Sequence, residues 1–376
     1  MIPTIRLPAR RPLRIIILGL TITSSWGNGH ATTYRSLMRA LVRRGHDVLF
    51  LERETPWYAA NRDPADLPVG SIRLYRNLSE LRDRWRNALV AADLVIIGSY
   101  VPDGVAVARL VRSLAAGVVA FYDIDTPVTL TAVAAGNCPY LTTELIPAFD
   151  LYLSFTGGRT LQLLEAKYGA RAARVLYCAV DPDCYRPSAT EPVWDLGYLG
   201  TYSADRQPAL EELMCRPAEG WASGRFAVAG ALYPAELSWP ANLDRIEHVG
   251  PHRHGWFYSR QRFTLNITRA DMIRMGYSPS VRLFEAAASG TPIISDWWPG
   301  LETIFVPGKH IMIAHKSKEV LCYLRELPDD ERRHLAARAR EHVLAHHTAD
   351  HRAIALEDYV EELLRPAQPC QAAVGA

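Results

Sequence analysis

Apolar residues along the chain fall into short, nearly continuous runs separated by stretches with helical periodicity. Leu13 to Leu20 (LRIIILGL) reads as a buried strand, and Thr21 to Gly29 as a polar, glycine-bearing loop. Ala31 to Arg44 carries apolar residues at Leu37, Leu41 and Val42 and is stopped by Gly45, which predicts a helix. His46 to Leu51 is the next strand. A strand, helix and strand in this order imply a parallel pair, with a ligand crevice at the carboxyl ends of the strands. The alternation continues through strands near Ile72 to Tyr75, Leu94 to Gly98, Val118 to Tyr122, Leu151 to Phe155 and Val175 to Tyr177. Residues 13–185 are therefore expected to form one Rossmann-like domain.

RPSATEPVW, residues 186–194, interrupts the periodicity with two prolines and small polar residues, as a linker does. A second alternating unit, residues 195–348, follows. Its first strand leads into GTYSADRQ and a helix from Pro208 to Met214, with further strands near 226–229, 246–249, 263–267, 292–295 and 310–313. Helices are predicted over 317–326, 329–345 and 350–364. The last of these, within a closing segment 349–376, is expected to pack back on the first domain, and residues 1–12 to be a disordered leader. The fold class is α/β, with two Rossmann-like domains facing across a cleft.

Composition narrows the function. The chain has 376 residues, 49% hydrophobic and 22% charged, and a net charge of +2, so no global field favours nucleic acid. Six cysteines occur without a CxxC pair, which points to reduced thiols in a cytoplasmic protein rather than to zinc or disulfides. Nowhere do 18 apolar residues occur together, so no membrane span is expected. His342, His346, His347 and His351 lack accompanying carboxylates and read as surface or hinge residues, not a metal site.

Candidate chemistry concentrates in YSPSVRLFEAAASGTPIISDWWPGLETI, Tyr277 to Ile304. Ser278 and Ser280 offer an N-cap, and Arg282 and Glu285 lie three residues apart on one helix face. A helix start bearing serines and an arginine suits an anion, with Arg282 on a diphosphate and Glu285 on ribose hydroxyls. A surface salt bridge is the other reading of that pair. In GTYSADRQ, Gly200 permits a tight turn, while Thr201 and Arg206 present donors at a strand end. Arg269, Tyr258 and Trp297 are further candidate wall residues.

In the first domain, Gly27, Asn28 and Gly29 allow left-handed backbone and close approach, placing His30 where the loop enters the helix. Its imidazole is a candidate proton acceptor. FYDIDTPVTL puts Asp123 and Asp125 at a strand end, where either is expected to orient His30, or Asp125 to meet the acceptor directly. The same residues spell a DxD, but a second copy at Asp181 to Asp183 discounts a metal role. A carboxylate capping its own loop is the bland alternative.

SSWGNGHATTYRSLMRALVRRGHDVLFLER, FYDIDTPVTL, DLGYLGTYSADRQ and NITRADMIRMGYSPSVRLFEAAASGTPII resemble the CgeB-like family of GT-B glycosyltransferases, over nearly the whole of residues 13–364. That resemblance implies nucleotide-sugar binding by the second domain, with Glu285 on the ribose. It also implies an unidentified acceptor in the first domain, and neither cofactor nor metal. His30 precedes His46 by 16 residues, a GH and RRGH spacing similar to inverting GT-B enzymes whose base occupies the first histidine. Many retaining members carry a second glutamate eight residues before the Glu285 position, where this chain has Tyr277. The expected activity is transfer of a sugar to an acceptor hydroxyl, metal-independent and inverting. Alternatives are a nucleotide-sugar 2-epimerase and a non-catalytic nucleotide-sugar binding protein. A dehydrogenase is disfavoured because GNGHAT lacks the third glycine of GxGxxG.

Overall fold

The computed structural model describes residues 11–63, 67 and 70–364; most of the expected leader and the tail beyond Leu364 lie outside the described residues. The first sheet contains β1 (Arg14–Gly19), β2 (Asp47–Arg53), β3 (Ser71–Tyr75), β4 (Leu94–Gly98), β5 (Val118–Asp123), β6 (Leu151–Ser154) and β7 (Ala173–Val175). Its order is β3-β2-β1-β4-β5-β6-β7, with every pair parallel. The second contains β8 (Trp194–Leu199), β9 (Phe226–Ala229), β10 (Leu243–Ile246), β11 (Gln261–Asn266), β12 (Ile293–Ser295) and β13 (Met312–Ile313). They run in the order β10-β9-β8-β11-β12-β13, also parallel.

Alternation along β1 shows why both faces of the first sheet are covered. Ile15 and Ile17 enter one core with Leu37 and Leu41 of the helix His30–Arg43, while Ile16 and Leu18 enter the other with Leu89, Val107 and Val111. Period-two side chains on a strand buried on both sides require this continuous apolar run. In each sheet the order of strand addition reverses beside its first strand, between β1 and β4 and between β8 and β11. Ligand crevices open at such points.

Several elements differ from the sequence pattern. β10 falls at Leu243–Ile246, three residues earlier than expected, because its register with β9 pairs Leu243 with Phe226 and Ile246 with Ala229. Val249, apolar enough to suggest strand, instead packs from a loop against Trp194 and Phe257. β7 ends at Val175, where a strand was expected to begin. The segment beyond it leads to Val180, which bridges Thr348. The helix predicted from Pro208 is continuous to Gly220 but contains a π turn at Glu211–Cys215. Among the described residues no helix is long and apolar enough to cross a membrane.

The closing helix, Ala349–Leu364, returns to the first domain. Ala353, Leu356 and Val360 join the core of β1 and the helix His30–Arg43. Glu357, 4% exposed, accepts hydrogen bonds from Arg44 and lies 2.8 Å from Nε2 of His46. Burial alone raises the pKa of this carboxyl, but the bonds to Arg44 and His46 outweigh it and hold the group below its ordinary value. The bridge thus stabilises the fold above the ordinary carboxylate pKa and loses that contribution as pH falls through the lowered one. Glu357→Ala is expected to cost about 3 kcal/mol at pH 7 by leaving buried partners without their charge. Denaturant unfolding should show that loss, and the gap to wild type should narrow in acid.

Candidate functional site

A cavity of about 480 Å³ lies between the carboxyl ends of the two sheets and is walled by both domains. On the second-domain wall, the chain leaves β8 at Gly200 and passes beneath Arg282. A Cβ on Gly200 would lie 2.7 Å from Nη2 of Arg282, and one on Gly230, at φ +147°, would lie 2.0 Å from the Gly200 carbonyl oxygen. Only glycine fits at position 230, where the obstacle is backbone, while a side chain at position 200 would displace the Arg282 and Tyr198 tips.

Arg282 is 6% exposed. It donates through Nη1 to Asn266 Oδ1 at 2.8 Å and through Nε to the Leu199 carbonyl, with its guanidinium 4.6 Å from the Tyr198 ring centroid. Ser280 caps the helix Val281–Ala288 by accepting from the Arg282 amide. Glu285, 3% exposed, takes hydrogen bonds from the hydroxyls of Tyr185 at 2.8 Å and Tyr258 at 3.2 Å, and lies 3.7 Å from Nδ1 of His254. Burial raises the pKa of this carboxyl, but His254 and the two tyrosines outweigh it and keep Glu285 below its usual value. Arg282 and Glu285 therefore share the cavity wall without pairing with each other, and the surface salt-bridge reading does not hold. Thr201 and Arg206 complete this wall. Arg206 donates to the Thr201 carbonyl, and its buried Nε has no partner.

Two expected residues stand elsewhere. Ser278 is fully buried and off the cavity wall, donating to the Gly276 carbonyl and lying 2.8 Å from the hydroxyl of Thr156 in the first domain. It joins the domains rather than facing the cavity. Trp297 is 47% exposed and also off the wall, whereas Trp298 is buried in the second-domain core. Burial of one indole leaves its neighbour to solvent.

On the first-domain wall, Gly27 has φ +70°, but Gly29 has φ −97°, so only one of the two needs the left-handed region. Asn28 Oδ1 accepts from the amides of His30 and Ala31 at 3.1 and 3.3 Å, which starts the helix at His30. The imidazole lies edge-on to Tyr100 at 5.4 Å, and its buried Nδ1 has no partner. Burial lowers its pKa to about 4, so the ring is neutral at pH 7.

Neither aspartate orients His30, contrary to the expected dyad. Asp123 is wholly buried and off the wall, engaged by Thr129 at 2.7 Å, the Tyr152 hydroxyl at 2.7 Å and the Asp125 amide at 3.2 Å. Burial pushes its pKa up to about 6. It organises the end of β5 inside the protein, close to the loop-capping alternative. Asp125 does reach the cavity, where it accepts from the Tyr100 hydroxyl at 2.7 Å and from Arg269 Nη1 at 3.2 Å.

Arg269 is one of several contacts across the cleft. Its Nε lies 3.8 Å from Asp205. The Gly157 amide donates to the Tyr277 carbonyl at 2.9 Å, and the Tyr277 ring fills space beside Gly158 and Gly300, where an added Cβ would come within 2.4 Å of it. Trp26 meets His248 at 4.8 Å between ring centroids. Tyr277 is thus part of the domain contact.

Tyr100, Tyr185 and His254 belong to the site but carried no motif, and Asn266, which opens the NITRADM segment, was not singled out within it. Tyr100 follows β4 with φ +64°, a conformation a bulky residue adopts only under constraint from its surroundings. His342, His346, His347 and His351 lie along and between the last two helices. His310 and His342 stack at 4.5 Å, and His347 accepts from Arg352 at 2.9 Å. Among the described residues no group of His, Cys, Asp and Glu side chains is placed to hold a metal.

Comparison with known proteins supports the two-domain fold. Residues 206–358 match the glycosyl transferase-like family model. The chain resembles sucrose-phosphate synthase from Thermosynechococcus elongatus, with a TM-score of 0.68 and 14% identity, covering 94% of this chain and 99% of that one. It resembles an alpha-glucosyltransferase in complex with UDP-glucose and DNA, with a TM-score of 0.70 and 13% identity, over 93% and 100% of the two chains. Anabaena HepE in complex with UDP and glucose gives a TM-score of 0.65 and 11% identity, over 92% and 99%. The chain matches no curated protein sequence. The protein thus has the GT-B fold of the glycosyltransferases, and its residues 206–358 form a glycosyl transferase-like domain.

Proposed function

We propose that the second-domain wall binds a nucleotide sugar and that the sugar passes to an acceptor hydroxyl held against the first-domain wall. Glu285 carries this reading. Each oxygen of its carboxylate accepts one protein hydroxyl. An ionised carboxylate has lone pairs beyond these two bonds, which suits ribose hydroxyls. Arg206 and Arg282, with the Gly200 turn and the helix start at Ser280, supply donors and positive charge for the departing diphosphate. Two guanidiniums at that position support transfer without a metal ion.

In the transfer, the His30 imidazole, which lines the cavity, takes the proton of the acceptor hydroxyl as its oxygen forms a bond to the anomeric carbon. The bond from that carbon to the diphosphate oxygen breaks, and the nucleoside diphosphate leaves with the electron pair. Attack opposite the leaving group inverts the configuration. Tyr277 in place of a second glutamate, and the neutral, unpartnered imidazole of His30, favour inversion. The four segments shared with the CgeB-like family support placement in that subfamily. Structures of similar proteins with UDP or UDP-glucose make a uridine donor the first to test.

Thermal unfolding with UDP-, GDP- and dTDP-sugars tests donor binding: one series should raise Tm, by mass action on the folded state. Glu285→Ala should abolish the rise, and no rise with any donor contradicts the proposal. Once a donor is known, NMR of the product's anomeric configuration should show inversion, and retention would remove His30 as a simple base. Because His30 is neutral above a pKa of about 4, kcat/KM should be level through neutral pH and fall in acid as the imidazole protonates. His30→Ala should lower kcat by roughly 10²- to 10⁴-fold and remove that acid limb.

A further inference from the structure

We propose that Arg269 is a positioning residue that covers Asp125 and leaves it when a diphosphate occupies the second-domain wall, opening Asp125 to the acceptor. The inference rests on the glycosyltransferase reading and adds a role for a cross-cleft ion pair. Asp125 stands on the first-domain wall, and Arg269 reaches it from the opposite domain, directly after β11.

The geometry is that of an exchangeable contact. Nη1 of Arg269 lies 3.2 Å from the Asp125 carboxylate, longer than the 2.7 Å bond that Tyr100 makes to the same oxygen. Charge-assisted bonds of this type are usually shorter, about 2.7–2.9 Å. Nε of Arg269 is buried without a hydrogen bond, and its nearest carboxylate, Asp205, is 3.8 Å away. The guanidinium thus has unused donor capacity while facing a cavity that also holds Arg206, Thr201 and Arg282. Its side chain is 33% exposed.

A diphosphate brings more negative charge than one carboxylate, together with several acceptor oxygens, and competes for the guanidinium on both counts. Withdrawal of Arg269 leaves Asp125 held by Tyr100, whose constrained backbone keeps the phenol in place. One lobe of the carboxylate is then open to an acceptor hydroxyl beside His30. Arg206, Asp205 and Asp123 are the other charged groups acting on Asp125. The uncharged cross-cleft contacts, Thr156 with Ser278 and Gly157 with Tyr277, need not break.

The test is a carboxylate titration by NMR of the full chain labelled with ¹³C at aspartate Cγ, with the Asp125 signal assigned by its absence in Asp125→Asn. UDP is the probe, with GDP or dTDP used if Tm shows that UDP does not bind. In wild type, saturating nucleotide should raise the Asp125 midpoint by about one pH unit or more as the cation departs. In Arg269→Gln the midpoint should already be high without nucleotide and rise much less on its addition. Arg269→Lys should restore part of the nucleotide-dependent shift. Nucleotide binding with an unchanged Asp125 midpoint, or an equal shift in wild type and Arg269→Gln, overturns the masking role while leaving the donor site intact. Failure of every nucleotide to bind removes the donor site, and this role with it.

Discussion

A carboxylate that is buried and ionised must be surrounded by donors, and Glu285 imposes that constraint on three separate parts of the chain. Tyr185 comes from the crossing between domains, His254 and Tyr258 from the helix before β11, and Glu285 from the helix after the Ser280 cap. Bringing these together fixes the linker against the second domain and aims the helix Val281–Ala288 at the cleft. The cost of desolvating the carboxylate is offset only while all of them are in place. Arg282 is held by an independent set, Asn266, the Leu199 carbonyl and the Tyr198 ring, so cation and carboxylate stay available to one ligand without neutralising each other.

The opposite wall is built differently. Its polar groups are sparsely partnered: His30 Nδ1 has no hydrogen-bond partner, and Asp125 is shared between Tyr100 and an arginine from the other domain. Tyr277 contributes to the contact between the two domains, its ring fitted against Gly158 and Gly300.

The parts legible in the sequence were those with strong local signatures. β1, β4, β5 and β9 are apolar runs bounded by polar turns, and Ser280 announces the helix that carries Arg282 and Glu285. The position of that helix in the second alternating unit places both residues at the strand ends. What could not be read were relations set by tertiary packing. FYDIDTP gives no sign that Asp123 turns inward to Thr129 and Tyr152 while Asp125 faces the cavity. Ser278 and Ser280 look interchangeable as a pair of serines, yet one bonds Thr156 across the domain boundary and the other caps a helix. Tyr185 and His254 reach Glu285 from 100 and 31 residues away in the chain, a distance no spacing rule covers.

Hydrogen–deuterium exchange of the full chain, with and without the nucleotide sugar that raises Tm, tests the two-wall arrangement most directly. Ligand-induced protection is predicted in residues 199–207 and 278–286, at the turn below Arg282 and the start of the helix bearing Glu285. Protection confined to the separate cavity lined by Arg39, Arg186 and Trp256, with none in those two segments, would contradict it.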